Sequence, residues 1–483
     1  MMARGVLLIL VVVQASASSE RAEQGHTERE AQLLDVINKM QQQIDELEDR
    51  IKKLEAKEDV TPPNAPASET PEAQAPPAVS PDPQEPPAKP RFTAEWRDRL
   101  TFSTPDSSFE MKVGGRIFND WVWQSQSRNL RRFRGPLEDG TEFRRARIHI
   151  GGTVYDNVFF MAMYDFADGD SDFNDVYMGL KDLPYVGRLK IGHTTEPFGM
   201  EELTYNKFTT FMERSLTSAL VPGFNTGAMV YNTAFDDRMT WAAGVFRDTD
   251  AFGDGMSDGG YNLTARITGL PWHPEEGHKL LHLGAAYSHR HPKDGIEFAS
   301  RPESHLMPEP ILRTASWDAH HLDLYGLEAA FQVGPFLLQS EYIGVQADWE
   351  RGRRDYFDGF YVAASYFLTQ DHRSYDPIEG IFTRTRPQRN FRLGRERGWG
   401  AWELALRYSY LDLNEFLLTR YDDETFSSYW RGGTLEDYTV GLNWHLNPNA
   451  RVMVNYIKAY VDHPAIRRDA NADIFQTRFQ VDF

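Results

Sequence analysis

The stretch Trp402-Glu403-Leu404-Ala405-Leu406-Arg407-Tyr408-Ser409-Tyr410 decides the fold. Its large apolar residues occupy every second position, and Glu, Ala, Arg and Ser stand between them. A period of two belongs to a β-strand, whose successive side chains leave opposite faces. The alternation returns at Tyr438-Thr439-Val440-Gly441-Leu442-Asn443-Trp444-His445-Leu446 and over 475–483, where Gln476, Arg478, Gln480 and Asp482 separate the apolar positions. Earlier, Ala146, Ile148 and Ile150 alternate with Arg145, Arg147 and His149. A soluble sandwich also alternates, with small aliphatics on its buried face. A transmembrane barrel reverses the sense: the apolar face meets lipid, aromatic girdles border it, and the other face lines a wet lumen. The apolar faces here are studded with Trp, Tyr and Phe. They predict an all-β fold, a transmembrane antiparallel β-barrel over residues 91–483.

Composition agrees. The chain has 483 residues, 13% of them aromatic and 25% charged, with 30 Phe, 21 Tyr and 11 Trp. Its mean hydropathy of −0.55, and the lack of any apolar run of ~20 residues after the N-terminus, exclude a polytopic helical membrane protein. The absence of cysteine excludes disulfide scaffolds, thiolate zinc sites and cysteine nucleophiles. A net charge of −19 argues against a general nucleic-acid binder.

Three segments precede the barrel. Residues 1–17 carry Arg4, the apolar run Val6–Val13 and Ala15-Ser16-Ala17, the pattern of a signal peptide cleaved after Ala17. Residues 18–60 hold a heptad series, with Ile37, Ile44 and Ile51 at a and Leu33, Met40, Leu47 and Leu54 at d, which predicts a short coiled coil. Residues 61–90 contain 11 of the 27 prolines and form a Pro-rich linker, an extended tether reaching on the order of 90 Å.

Longer motifs carry a family likeness. Asp358-Gly359-Phe360-Tyr361-Val362-Ala363-Ala364-Ser365-Tyr366-Phe367-Leu368-Thr369, Gly398-Trp399-Gly400-Ala401-Trp402-Glu403-Leu404 and Gly441-Leu442-Asn443-Trp444-His445-Leu446-Asn447-Pro448 resemble the phosphate-selective porins O and P. So do Glu196-Pro197-Phe198-Gly199 and Phe211-Met212-Glu213-Arg214-Ser215-Leu216. The resemblance covers roughly residues 105–483 and implies a trimeric 16-stranded outer-membrane barrel conducting anions through a basic pore. The terminal Phe483, with Phe479 four positions earlier, resembles the signal read by the outer-membrane barrel-assembly machinery.

The barrel segment has 36 Arg against 7 Lys, and arginine keeps its charge and presents a planar fork to oxyanions. Alternation assigns Arg116, Arg145, Arg147, Lys190 and Arg407 to the lumenal face. Two long segments are candidates to narrow the pore: 194–226, which carries Arg214, and 371–398, which carries Arg384, Arg386 and Arg389. The second is expected outside, opposite the tight turn Asn447-Pro448-Asn449-Ala450. The barrel segment as a whole is acidic, with 43 basic and 55 acidic residues, so anion preference must reside in local lumenal charge. A strand apolar on both faces, 158–164, is expected to be covered by an inserted loop or a neighbouring subunit.

No Walker loop, G-x-S-x-G elbow or H-E-x-x-H pattern is present. His320 and His321 leave opposite faces of one strand and cannot converge. Neither enzyme chemistry, nor a cofactor, nor a metal is expected. The reading is therefore an outer-membrane porin for passive diffusion of small anions, with phosphate or polyphosphate as candidate solutes. The alternative is an envelope-tethering barrel, whose coiled coil links the outer membrane to periplasmic partners. Expected partners are outer-membrane lipid, small anions, the assembly machinery and two further copies in a homotrimer, with the N-terminal segment in the periplasm.

Overall fold

Alternating segments close into a ring only if each strand finds two neighbours, and here sixteen do. The structure, a computed structural model, describes residues 92–483 apart from 170, 257–259, 276–277, 294, 308, 317, 350–353, 395–396, 415–431 and 467–469. The expected signal peptide, coiled coil and linker lie outside the described residues.

The ring consists of β1 (Phe109–Gln126), β2 (Gly140–Val154), β3 (Val158–Asp165), β4 (Asp172–Leu183), β5 (Gly187–Thr195), β6 (Phe224–Ala234), β7 (Met239–Arg247) and β8 (Asn262–Glu275). It continues through β9 (Lys279–Arg290), β10 (Ala319–Val333), β11 (Phe336–Trp349), β12 (Arg354–Phe367), β13 (Ala401–Asp412), β14 (Thr434–Asn447), β15 (Ala450–Asp462) and β16 (Ala470–Asp482). Each pairs antiparallel with the next. β16 returns to β1, with Asp482 opposite Arg116 and Ala472 opposite Gln126, so the ring has no free edge. Phe483 completes the seam by exchanging two backbone hydrogen bonds with Gly115, at 2.7 and 3.0 Å. A Cβ on Gly115 would stand 2.6 Å from the Arg147 carbonyl oxygen and 2.8 Å from the Phe483 ring. That close approach is why a glycine occupies the seam. A hairpin of Thr93–Trp96 and Leu100–Ser103 prolongs the wall beside the start of β1.

The two faces sort as the alternation requires. Glu403 is fully buried on the lumenal side of β13, whereas Leu406 is 54% exposed outside. Outward aromatics form two borders. Trp402 stacks on Trp444 at 5.1 Å near one end, and Tyr408, Tyr438 and Tyr460 follow one another near the other. These are the girdles of a membrane-embedded barrel.

Turns at 155–157, 184–186, 235–238, 334–335 and 448–449 share one end. Tyr155 and Asp156 both take positive φ, 47° and 65°, as a tight hairpin demands. The connection 368–400 lies at this same end, not at the opposite one as expected: the Arg384 guanidinium donates to the Pro448 carbonyl oxygen. Length suggested the other end, but the parity of the strands fixes this one.

The interior is filled by three connections. Residues 196–223 and 291–318 enter from the long-loop end and 368–400 from the tight-turn end. Phe198, Leu216, Leu220, Met307 and Ile311 pack on inward-facing Val345, Phe357, Leu411, Leu435, Ile457 and Ile474. Each such burial contributes ~1.5–3 kcal/mol, so part of the lumen is a hydrophobic core. Met200, Ile381 and Phe382 join the first and third connections in a second cluster.

Candidate functional site

The segment 196–223 is fixed from all sides by charged wall residues. The Glu341 carboxylate on β11 accepts from the N–H groups of Met200 and Glu201, at 2.9 and 2.7 Å. Arg451 on β15 donates to the Thr209 carbonyl at 2.7 Å, and Asn443 on β14 to that of Thr210 at 2.8 Å. Arg478 on β16 grips Asp120 with two bonds of 2.7 Å and reaches Glu213 at 2.7 Å. Arg144 meets the same Glu213 through two bonds of 3.0 Å. Burial would raise the Glu213 carboxyl, but Arg144 and Arg478 outweigh it and hold it far below the usual carboxylate range. Burial also raises the Glu202 carboxyl, with Arg214 opposing. The Lys207 ammonium is pushed down to about 8 by burial, with Asp482 opposing.

The other two connections are pinned similarly. Glu303 of 291–318 pairs with Arg407 at 2.6 Å and accepts from Ser409 and Thr439 at 2.6 and 2.5 Å. In 368–400, Arg373 pairs with Glu403 at 2.9 Å, and the Glu379 and Gly380 carbonyls accept from Arg266 at 3.0 and 2.8 Å. The inserted chain is thus tied by charge-assisted bonds, the strong class.

Two of the cavities around the inserted segments share part of their lining. The first, of about 340 Å³, lies towards the long-loop end between 196–223 and 299–310; its charged lining includes Arg144, Arg145, Arg214, Arg301 and Arg478 against Glu202, Glu213 and Glu303. The second, of about 110 Å³, is lined by Arg116, Arg145, Arg147, Lys190, Arg214 and Arg266 against Asp175, Glu202 and Glu379. Both linings include Arg145, Glu202, Asn206 and Arg214, so these four residues form the waist between them.

Five of the nine residues singled out in the sequence therefore meet around the second cavity: Arg116, Arg145, Arg147, Lys190 and Arg214. Their partners differ. Arg147 is tied to Asp165 at 2.7 Å, while Arg145 stands 3.8 Å from the same carboxylate. Arg214 pairs with Glu202 at 3.2 Å. Arg116 is held by neutral atoms, Asn206 Oδ1 at 2.5 Å and Met163 Sδ at 2.9 Å. Lys190 lies over the rings of Tyr177 and Tyr231, at 4.6 and 5.4 Å, and pairs with no carboxylate among the described residues.

The other four lie elsewhere. Arg407 faces inward as expected but is committed to Glu201 and Glu303. Arg384 is buried against Asp482 at the tight-turn end, Arg386 pairs with Asp98, and Arg389 is exposed beside Arg392 and Arg397. The doubly apolar strand β3 turns Met163 into the barrel, where Arg116 reaches it; the same guanidinium donates to Asn206 of the inserted segment. Arg144, Arg266, Arg451 and Arg478 escape the sequence reading. Period-two alternation could have found Arg451 and Arg478. Arg144 could not be found that way, because a register shift opposite Phe118 and Asn119 turns Arg144 and Arg145 both inward.

Comparison with known proteins places these features. The family model described as phosphate-selective porin O and P matches residues 113–483. Porin O of Pseudomonas aeruginosa is 27% identical over 416 residues, covering 80% of this chain and 91% of that protein. A protein of Caulobacter vibrioides is 28% identical over 471 residues, covering 94% and 90%. Among solved structures, an anion-selective porin from Comamonas acidovorans is similar at a TM-score of 0.47 and 11% identity, covering 77% of this chain and 99% of that one.

Proposed function

The chain belongs to the phosphate-selective porin O and P family, a bacterial outer-membrane β-barrel, and from that premise we propose that it is a passive pore for small anions. Phosphate and polyphosphate are the candidate solutes. One observation carries the reading: of the six cations lining the smaller cavity, Arg147, Arg214 and Arg266 are paired with Asp165, Glu202 and Glu328, whereas Arg116 rests on neutral atoms and Lys190 on aromatic rings, inside a barrel segment that is acidic overall. Arg116 and Lys190 make no ion pair among the described residues, so they can offer their charge to a passing anion. The path leads from the larger cavity, past Arg145, Asn206 and the Glu202–Arg214 pair, to Arg116 and Lys190. Each cation attracts an anion, and the neighbouring carboxylates keep the binding weak enough for release. Bilayer reversal potentials in a KCl gradient test the claim; a cation preference overturns it. Phosphate as solute predicts that added phosphate reduces the chloride current through occupied sites, and an unaffected current refutes that part.

The second reading, an envelope tether, is favoured by the heptads and proline-rich stretch of residues 18–90. Removing them should leave conductance intact and weaken envelope attachment. Unchanged attachment ends that reading.

A further inference from the structure

The connection 368–400 does not end in the lumen. Beyond Arg386, which pairs with Asp98 beside the short hairpin, its last stretch comes out over the wall. The Phe391 N–H donates to the Leu446 carbonyl at 2.6 Å, and the Phe391 ring meets the outward Trp444 edge-on, with centroids 4.9 Å apart. The Trp399 carbonyl accepts from the indole N–H groups of Trp444 and Trp402, at 2.8 and 3.1 Å. These two indoles border the tight-turn end. Phe391 and Trp399 therefore lie along the aromatic girdle, at the level of a bilayer's headgroups.

What this stretch presents there is cationic. Arg392 and Gly398 exchange two backbone hydrogen bonds, at 3.1 and 3.3 Å, and close a small loop. A Cβ on Gly398 would collide with the Asn390 carbonyl, so the glycine permits the fold-back. An open cavity of about 330 Å³ is lined, among the described residues, by Arg389, Asn390, Arg392, Arg397 and Gly398. In sequence, 389–398 holds four arginines and one glutamate. Leu393 and Trp399 stand beside the arginines with 85% and 68% of their surface exposed. Forked cations next to large exposed apolar side chains, on an aromatic girdle, complement a lipid whose phosphate lies at that girdle.

We propose that Arg389, Arg392 and Arg397 hold the phosphate of an anionic glycerophospholipid in the leaflet at the tight-turn end. Short turns of outer-membrane barrels face the periplasm, so this is the periplasmic leaflet. The guanidinium groups donate to the phosphate oxygens, while Leu393 and Trp399 meet the glycerol and the upper acyl chain. Neither of the two lumenal cavities includes these residues, so the site stands apart from the conducting path. A bound lipid would hold down the outer end of the connection whose inner part carries Arg373 and Gly380 into the lumen.

The test is native mass spectrometry of full-length protein in non-ionic detergent, titrated with dioleoyl phosphatidylglycerol or dioleoyl phosphatidylcholine. Phosphatidylglycerol should be retained about tenfold or more tighter than phosphatidylcholine. Arg389→Gln combined with Arg397→Gln should reduce that preference about tenfold. Arg354→Gln, at an exposed arginine of the opposite end, should keep it. The shift of the folded band on heating confirms that each variant forms a barrel. Equal retention of the two lipids by the wild type, or an unchanged preference in the double variant, overturns the site. Inorganic phosphate separates a lipid site from a free-anion site. It should leave the lipid bound at equal concentration, and displacement overturns the lipid as occupant.

Discussion

Lys190→Gln is the most direct probe of the conducting path. The ammonium lies over Tyr177 and Tyr231 and pairs with no carboxylate among the described residues, so its removal uncovers no buried anion. The smaller cavity then keeps five cations against three carboxylates. An anion passing ~6 Å away, in a wet lumen of effective dielectric ~50, loses about 1 kcal/mol of attraction. That is about a fivefold fall in local anion occupancy, and the chloride-to-potassium permeability ratio should fall by a similar factor. The assay is the reversal potential of reconstituted protein in a KCl gradient, with Arg386→Gln as comparison. Arg386 is bound to Asp98 away from both cavities and should leave selectivity unaltered. Lys190→Arg should restore it. A Lys190→Gln ratio equal to that of the wild type, or an equal change in Arg386→Gln, refutes the assignment of this cavity to the path.

Glu303→Ala removes the carboxylate that holds Arg407, Ser409 and Thr439; breaking such a buried pair costs about 3–5 kcal/mol, so the unfolding temperature should drop and single-channel conductance rise. Lys207, whose ammonium burial pushes down to about 8, is cationic below that pH and neutral above it. It lines neither cavity, and folding disfavours its charged form, so the unfolding temperature should rise as pH climbs from about 8 towards the ~10.4 of an unfolded lysine, and Lys207→Gln should flatten that rise. Deleting Phe483 removes the two bonds to Gly115 and the expected assembly signal, so the yield of heat-modifiable barrel should fall severalfold. Residues 18–60 alone should associate weakly while the full chain scatters light as a trimer, because three barrels would raise the local concentration of short helices; a full-length dimer with a dimeric isolated segment would show that the coil sets the symmetry.

How much of this was legible depends on what lies behind each strand. On β13, alternation placed Leu404 and Leu406 outside and Glu403 and Arg407 inside, and the structure agrees. Further along, the same period puts Leu411 inside, where it is fully buried; its apolar character there reflects the inserted connections, which turn that part of the lumen into a hydrophobic core. The sequence also marked 194–226, which lacks a sustained period of two, as one of two candidates to narrow the pore. It could not say which lumenal arginines are free to meet a solute. Arg116 and Arg407 look alike as inward positions, yet one rests on Asn206 and Met163 and the other on Glu201 and Glu303. Those partners lie 47 to 206 positions away, and no local pattern encodes them.

The grip of Arg478 has a kinetic meaning. Its three acceptors come from the first strand and from the inserted segment, and Asp120 is 358 residues distant in sequence. Contacts this remote form late, after the loop-closure entropy between them has been overcome. If the last strand docked while 196–223 was still outside, Arg478 would be buried without Glu213 or the Met212 carbonyl, and a buried charge stripped of part of its shell is costly. Zipping the seam around an empty lumen is therefore the uphill route. The energetics favour filling before closing, a route by which a newly made barrel would emerge with its lumen already occupied rather than as a wide hole in the membrane.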